Sequence, residues 1–252
     1  EWVFEEEELD ASASALKAAG FPVIELPVTN PYDAGAEFFR WEIAISVACH
    51  ILGINTYDQP DVQDSKLRTI AKIKDYQSTG KLAEIDLVDE KDAKAALQKF
   101  LADAKAGNFV TINAYVPRNS ERVDVIQKLR VAIREKTGCP VSAGFGPRFQ
   151  HSTGQFHKGG PNSGLFLELV DSMKPDLPVP GKFYSFGTLA QAQAVGDLQS
   201  LQTHQRPAVR IALGPNPVRT IRSLIAMLTP ARAGRRKPAA KKRPLPKRRT
   251  HR

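Results

Sequence analysis

The stretch Phe109-Val110-Thr111-Ile112-Asn113-Ala114-Tyr115-Val116 decides the fold. Most of its residues are β-branched or aromatic, and Pro117 closes it, so it reads as a strand. A helix is expected over 120–136, and a second apolar strand over Val141–Phe145. Single apolar strands that alternate with helices imply a parallel sheet covered on both faces.

Outward from that unit the rhythm continues. A helix is expected at 90–105, a strand at Leu165–Val170, a helix at 187–203, a strand at Ala208–Leu213 and a last helix at 216–228. Residues 146–163 read as a long polar loop. Toward the start, 11–19 reads as a helix that Gly20 caps, and Phe21–Val28 as a strand. Asn30-Pro31-Tyr32-Asp33 then opens a helix running to Leu52, with an apolar stripe at Phe38, Trp41, Ile45, Ala48 and Leu52. Glu42 lies beside that stripe, where desolvation would raise its pKa. Gly53 ends the helix, Ile54–Tyr57 is a short extended piece, and Pro60 opens the next helix. Residues 77–89 form a polar link.

The expected organisation is therefore an α/β lobe over 1–80, a second, smaller α/β lobe over 88–228 and a basic tail over 229–252. The formal charge of +9 belongs to that tail. From Arg232 to Arg252 there are eleven Lys or Arg and no acid, which leaves 9 − 11 = −2 for the rest. Proline, alanine and basic residues cannot bury enough apolar surface to order the segment, so disorder is expected. Without interleaved aromatics it reads as a solvated charge run, and nucleic acid is not the expected partner.

Hydrophobic content of 42% and charged content of 25% suit a globular protein. The longest apolar stretch, near Ala44–Ile54, falls short of the roughly 20 residues that span a bilayer. Two cysteines, Cys49 and Cys139, make no disulfide framework, so a reducing cytoplasm is expected. A start at Glu1-Trp2-Val3-Phe4 reads as cut from a longer polypeptide.

Chemistry concentrates first at Gly53-Ile54-Asn55-Thr56-Tyr57-Asp58-Gln59-Pro60-Asp61-Val62-Gln63-Asp64-Ser65-Lys66. With Pro60 opening a helix, Gln59, Gln63 and Lys66 share one face. Placed after a strand end, two amides and an ammonium suit a polyhydroxy, anionic ligand.

Tyr57-Asp58-Gln59-Pro60-x-Val62-x-x-x-Lys66 resembles the carboxyl-terminal signature of glucose-6-phosphate isomerases. Gly35-Ala36, Trp41-Glu42, Ile51-Leu52 and Ile54 extend the likeness without a gap. The phrase Ala36-Glu37-Phe38-Phe39-Arg40-Trp41-Glu42 and the region 146–167 are more similar to the bacterial form fused behind transaldolase. The resemblance implies a sugar-isomerase (SIS-like) parallel-sheet lobe. It also implies interconversion of glucose 6-phosphate and fructose 6-phosphate through a cis-enediol, without metal or organic cofactor. Lys66 would be the active-site lysine and Gln59 a substrate contact, with Glu42 a further candidate contact. Two features depart from the family. Gln63 stands where it carries glutamate, and the glycine-rich stretch with its base glutamate is absent. The implied partners are a sugar phosphate and an upstream isomerase lobe or transaldolase domain; an oligomer is also compatible.

The second concentration is the segment 144–162, with five glycines, two histidines, an arginine and a lysine. As a loop it offers Arg148, Ser152, Thr153 and Gln155 to a phosphate, and His151 and His157 for proton transfer. It lacks the third glycine of a dinucleotide fingerprint and the ligand pattern of a metal site. His157-Lys158-Gly159-Gly160 is similar to the histidine–glycine–glycine loop of bacterial glucose-6-phosphate isomerases, which implies that His157 assists ring opening. Three functions follow: an isomerase lacking its upstream base, a non-catalytic phosphosugar-binding module of the same fold, and a nucleic-acid-associated protein acting through the tail.

Overall fold

A computed structural model of the chain describes residues 6–82 and 85–229. The basic tail from residue 230 on lies outside the described residues. The chain divides into two compact units, Glu1–Asp58 and Gln59–Arg252.

The described part of the first unit is helical. Helix α1 spans Glu6–Ala18 and α2 spans Pro31–Leu52. Asn30 starts α2 by accepting from the backbone N–H groups of Tyr32 and Asp33, while Asp33 accepts from that of Asn30. Gly53 ends it at φ 68°, which glycine adopts without steric cost. The strand expected at Phe21–Val28 does not form, and Ile54–Tyr57 is an irregular link. Strand propensity needs a neighbouring ladder, and Phe21, Ile24 and Val28 are exposed. Nor does α2 bury its stripe. None of its residues is buried, and Glu42 is exposed rather than desolvated.

The second unit holds a five-stranded, wholly parallel sheet of order β1-β5-β4-β2-β3. Its strands are β1 (Leu87–Val88), β2 (Phe109–Tyr115), β3 (Val141–Phe145), β4 (Gly164–Val170) and β5 (Ala208–Ala212). Helices α4 (Ala93–Leu101), α5 (Ser120–Thr137) and α8 (Pro217–Leu228) pack together on one face. Helices α3 (Pro60–Thr79), α6 (Gln150–Gly159) and α7 (Phe186–Thr203) pack together on the other. The sequence reading ended the first lobe at residue 80; α3 instead packs on α6 and α7.

Period-two alternation gives the two sheet faces opposite characters. Val110, Ile112, Ala114, Leu165, Leu167, Leu169 and Ile211 turn toward α4, α5 and α8 and form a dry core. Their neighbours Thr111, Asn113, Glu168 and Arg210 are buried on the other face. There α3 and α7 approach closely. A Cβ on Gly196 would lie 3.1 Å from Thr69 Oγ1 and 3.3 Å from the Ser65 carbonyl oxygen. Small residues at Ser65, Gly196 and Ser200 permit that approach.

The loop expected at 146–163 is largely α6. Its glycines cost roughly 1 kcal/mol each in a helix, so the local pattern reads as a loop. Burial of Gly154, His157 and Lys158 along its length offsets that cost.

Candidate functional site

Asn113, Glu168 and Arg210 stand side by side across β2, β4 and β5. Arg210 Nε lies 2.8 Å from Glu168 Oε1, and both side chains are almost wholly buried. Above them Lys158 Nζ and Asp197 Oδ1 are 2.5 Å apart. Gln150 donates to the Tyr115 hydroxyl at 2.5 Å. Burial pushes the Glu168 carboxyl up to about 8; Arg210 opposes that shift and Asp197 adds to it. Asp197 is raised by burial against the pull of Lys158. Burial also carries the Tyr115 hydroxyl well above its ordinary value, with Asp197 and Glu168 adding to the shift.

This polar layer underlies the carboxyl edge of the sheet. There β2 runs into α5 on one face while its neighbour β4 runs into α7 on the other, an arrangement that leaves a crevice. A cleft of about 1040 Å³ opens along this edge. Arg210 reaches it from the middle of β5, Val170 and Ala212 from the strand ends, and Asp171, Ser172 and Lys174 from the β4–α7 connection. Thr188 and Gln191 reach it from α7, Arg122 from α5 and Lys81 from just beyond α3. Gly214, at φ 67°, starts the wall leading to α8.

Four cations line the cleft against one carboxylate, Asp171. Arg122 Nη2 donates to Asp171 Oδ2 at 2.9 Å, and Arg210 is paired with Glu168. Lys81 and Lys174 have no ion-pair partner among the described residues. The two lysines alone contribute two positive charges. A phosphate monoester carries about −1.5 to −2 at neutral pH, so the cleft matches one such group. Hydroxyls of Ser172 and Thr188 and the amide of Gln191 add partners for a polyhydroxy ligand.

The residues singled out in the sequence lie elsewhere. Gln59, Gln63 and Lys66 are exposed on the first turns of α3. The amino end of α3 abuts the far ends of α6 and α7. The Asp61 N–H donates to Gln155 Oε1 at 3.1 Å, and Gln155 Nε2 donates to Asp61 Oδ2 at 2.5 Å. His204 Nε2 lies 2.9 Å from Asp61 Oδ1, and Ser200 donates to Asp64 at 2.7 Å. Those helix ends lead into the starts of β4 and β5, so this is the amino edge of the sheet. Placing Gln59 and Lys66 at the strands' carboxyl ends is thereby corrected. Lys66 is fourteen residues from Gly80 at the cleft, about 21 Å along the helix.

The candidate loop residues have structural partners or none. Ser152 and Thr153 each donate to the Phe149 carbonyl at 3.1 Å, inside α6. Gln155 holds the start of α3. Arg148 and His151 are exposed. His157 is buried, its ring centre 5.1 Å from that of Phe166 and 5.8 Å from that of Phe149. Burial first, and Lys158 second, lower its pKa to about 4. A neutral imidazole closed off from solvent is a packing residue, which corrects its reading as an accessible proton carrier.

Sequence reasoning missed Lys81, Arg122, Asp171, Lys174, Thr188, Gln191 and Arg210. One signal was present: the fifteen-residue connection Asp171–Ser185 between a strand and a helix is longer than such links usually are.

No protein-family model matches the chain, and no curated protein matches it. Among solved structures it is similar to the hypothetical protein TT0462 from Thermus thermophilus, at 11% identity with a TM-score of 0.43. That likeness covers 67% of this chain and 43% of the other, so the chain spans less than half of that protein's length. Among the described residues no helix is long and apolar enough to cross a membrane.

Proposed function

We propose that the chain is a phosphosugar-binding α/β unit of the glucose-6-phosphate isomerase type, with the sugar phosphate seated in the carboxyl-edge cleft. The observation that carries this reading is the lining of that cleft. Lys81 and Lys174, without an ion-pair partner among the described residues, supply positive charge for one phosphate, and Ser172, Thr188 and Gln191 supply partners for sugar hydroxyls. Asp171, the one carboxylate in the lining, is 6% exposed and held by Arg122 and Ser172. Among the described residues the lining therefore offers no free general base, which suits binding rather than turnover. Isothermal titration of the full chain with glucose 6-phosphate tests this. Saturable binding that weakens in Lys174→Ala supports the reading, and no uptake at millimolar ligand rejects it.

The second reading is the isomerase itself, of SIS-like fold, acting at Lys66 and Gln59. One observation favours it. Gln59, Gln63 and Lys66 are exposed together, and no side-chain hydrogen bond or ion pair among the described residues occupies them. Three uncommitted polar side chains over two helical turns suit a surface that a further lobe completes with its base. A coupled assay for fructose 6-phosphate formation tests it, with Lys66→Ala as the control. Turnover that survives this substitution removes Lys66 from the reaction.

A further inference from the structure

The cations of the cleft are not equivalent. Lys81 and Lys174 are exposed and carry their charge on flexible stems. Arg122 differs. Its backbone is fixed in the first turn of α5, where its N–H donates to Asn119 Oδ1 at 2.9 Å. Its side chain, 20% exposed, crosses from the β2 side of the crevice to Asp171 at the end of β4. There Nη2 meets Oδ2 at 2.9 Å.

The other oxygen of Asp171 accepts from the Ser172 N–H at 2.6 Å and from the Ser172 hydroxyl at 3.2 Å. The carboxylate is thus committed on both sides and locks the guanidinium in place. Arg122 Nε is buried without an acceptor, so the inner edge of the fork is closed. Nη1 has no partner among the described residues and is not among the buried, unpaired atoms. One arm is engaged, one edge is shut, and the Nη1 amino group remains for the cleft.

We infer that Arg122 is the residue that selects and grips the anionic group of the ligand, through Nη1, and that Asp171 is the positioning residue that aims it. A donor already held in its binding geometry loses little freedom on contact, whereas the lysines must be ordered. Arg122 then sets affinity, and Lys81 and Lys174 set the long-range attraction and its salt dependence. The sugar phosphate as ligand rests on the reading above; the division of labour among the cations does not.

The test titrates inorganic phosphate and glucose 6-phosphate separately into the full chain, at two salt concentrations. Arg122→Lys keeps the charge and removes the fixed arm, so phosphate affinity should fall about tenfold with an unchanged salt slope. Asp171→Ala should fall equally, and Asp171→Asn, which keeps an acceptor, should recover part of the loss. Lys81→Ala and Lys174→Ala should lose affinity by about two- to threefold with a shallower slope. Thermal unfolding checks that each variant is folded; should Asp171→Ala fail, Arg122→Lys decides. Phosphate binding that depends on Arg122, with glucose 6-phosphate binding no better than phosphate, upholds the inference and rejects the sugar. Arg122→Lys binding phosphate like the wild type, or a wild type that binds no phosphate, overturns the inference.

Discussion

Lys158 and Asp197 form an ion pair inside the second unit, with Nζ 2.5 Å from Oδ1 and each side chain 1% exposed. The pair lies between α6 and α7 over the sheet face that also buries Glu168 and Arg210. Removing one partner of such a pair strands a charge and costs about 3–5 kcal/mol, whereas replacing both by apolar groups is often neutral. Asp197→Leu should therefore lose stability in that range. Lys158→Met should lose less, because Asp197, already raised by burial, takes a proton. The double variant should return toward the wild type. Urea midpoints measure all three, and an Asp197→Leu protein within about 1 kcal/mol of wild type contradicts the assignment.

Stability should depend on pH through Glu168 and His157 in opposite senses. Glu168 titrates near 8 when folded against 4.5 ordinarily. Between those values the folded state holds a proton that the unfolded state lacks, so stability falls as pH rises, by at most about 1.4 kcal/mol per pH unit. His157 titrates near 4 against 6.5 ordinarily. Between those values the unfolded state holds the extra proton, so stability falls as pH drops. The slopes oppose one another from 4.5 to 6.5, and Glu168 dominates from 6.5 to 8. Glu168→Gln should flatten the decline above 6.5, and His157→Phe should steepen the net decline between 4.5 and 6.5. Unfolding curves at several pH values across both windows decide this.

Gly196 marks the closest approach of α7 to α3. A valine there meets Thr69 and the Ser65 carbonyl, and overpacking of this kind costs about 1–3 kcal/mol. Gly196→Val should lower the melting temperature, and a double variant with Thr69→Ala should recover part of the loss.

Lys66 is exposed, so Lys66→Ala should change stability by less than about 0.5 kcal/mol. It should also leave phosphosugar affinity at the cleft unchanged, because about 21 Å of helix separates them. Isomerase turnover, measured on the same sample, is the quantity that this substitution moves under the second reading.

The parallel sheet was legible because strands such as Phe109–Tyr115 and Gly164–Val170 are dominated by apolar, aromatic and β-branched residues. The helix at Gln150–Gly159 was not, because two glycines and a run of polar side chains mask a pattern that tertiary burial rescues. Phe21–Val28 misled in the other direction, since β-branched residues make a strand only where a partner strand waits. The cleft was least legible. Arg122 and Asp171 are 49 residues apart, and only the order in which β2 and β4 meet makes them neighbours.

Backbone amide shifts, followed while glucose 6-phosphate is titrated into the full chain, test the location of the site most directly. The cleft reading predicts that Arg122, Ser172, Thr188 and Gln191 move together and saturate with one dissociation constant, while Gln63 and Lys66 stay still. Shifts confined to the first turns of α3, or a spectrum that does not change, would contradict it.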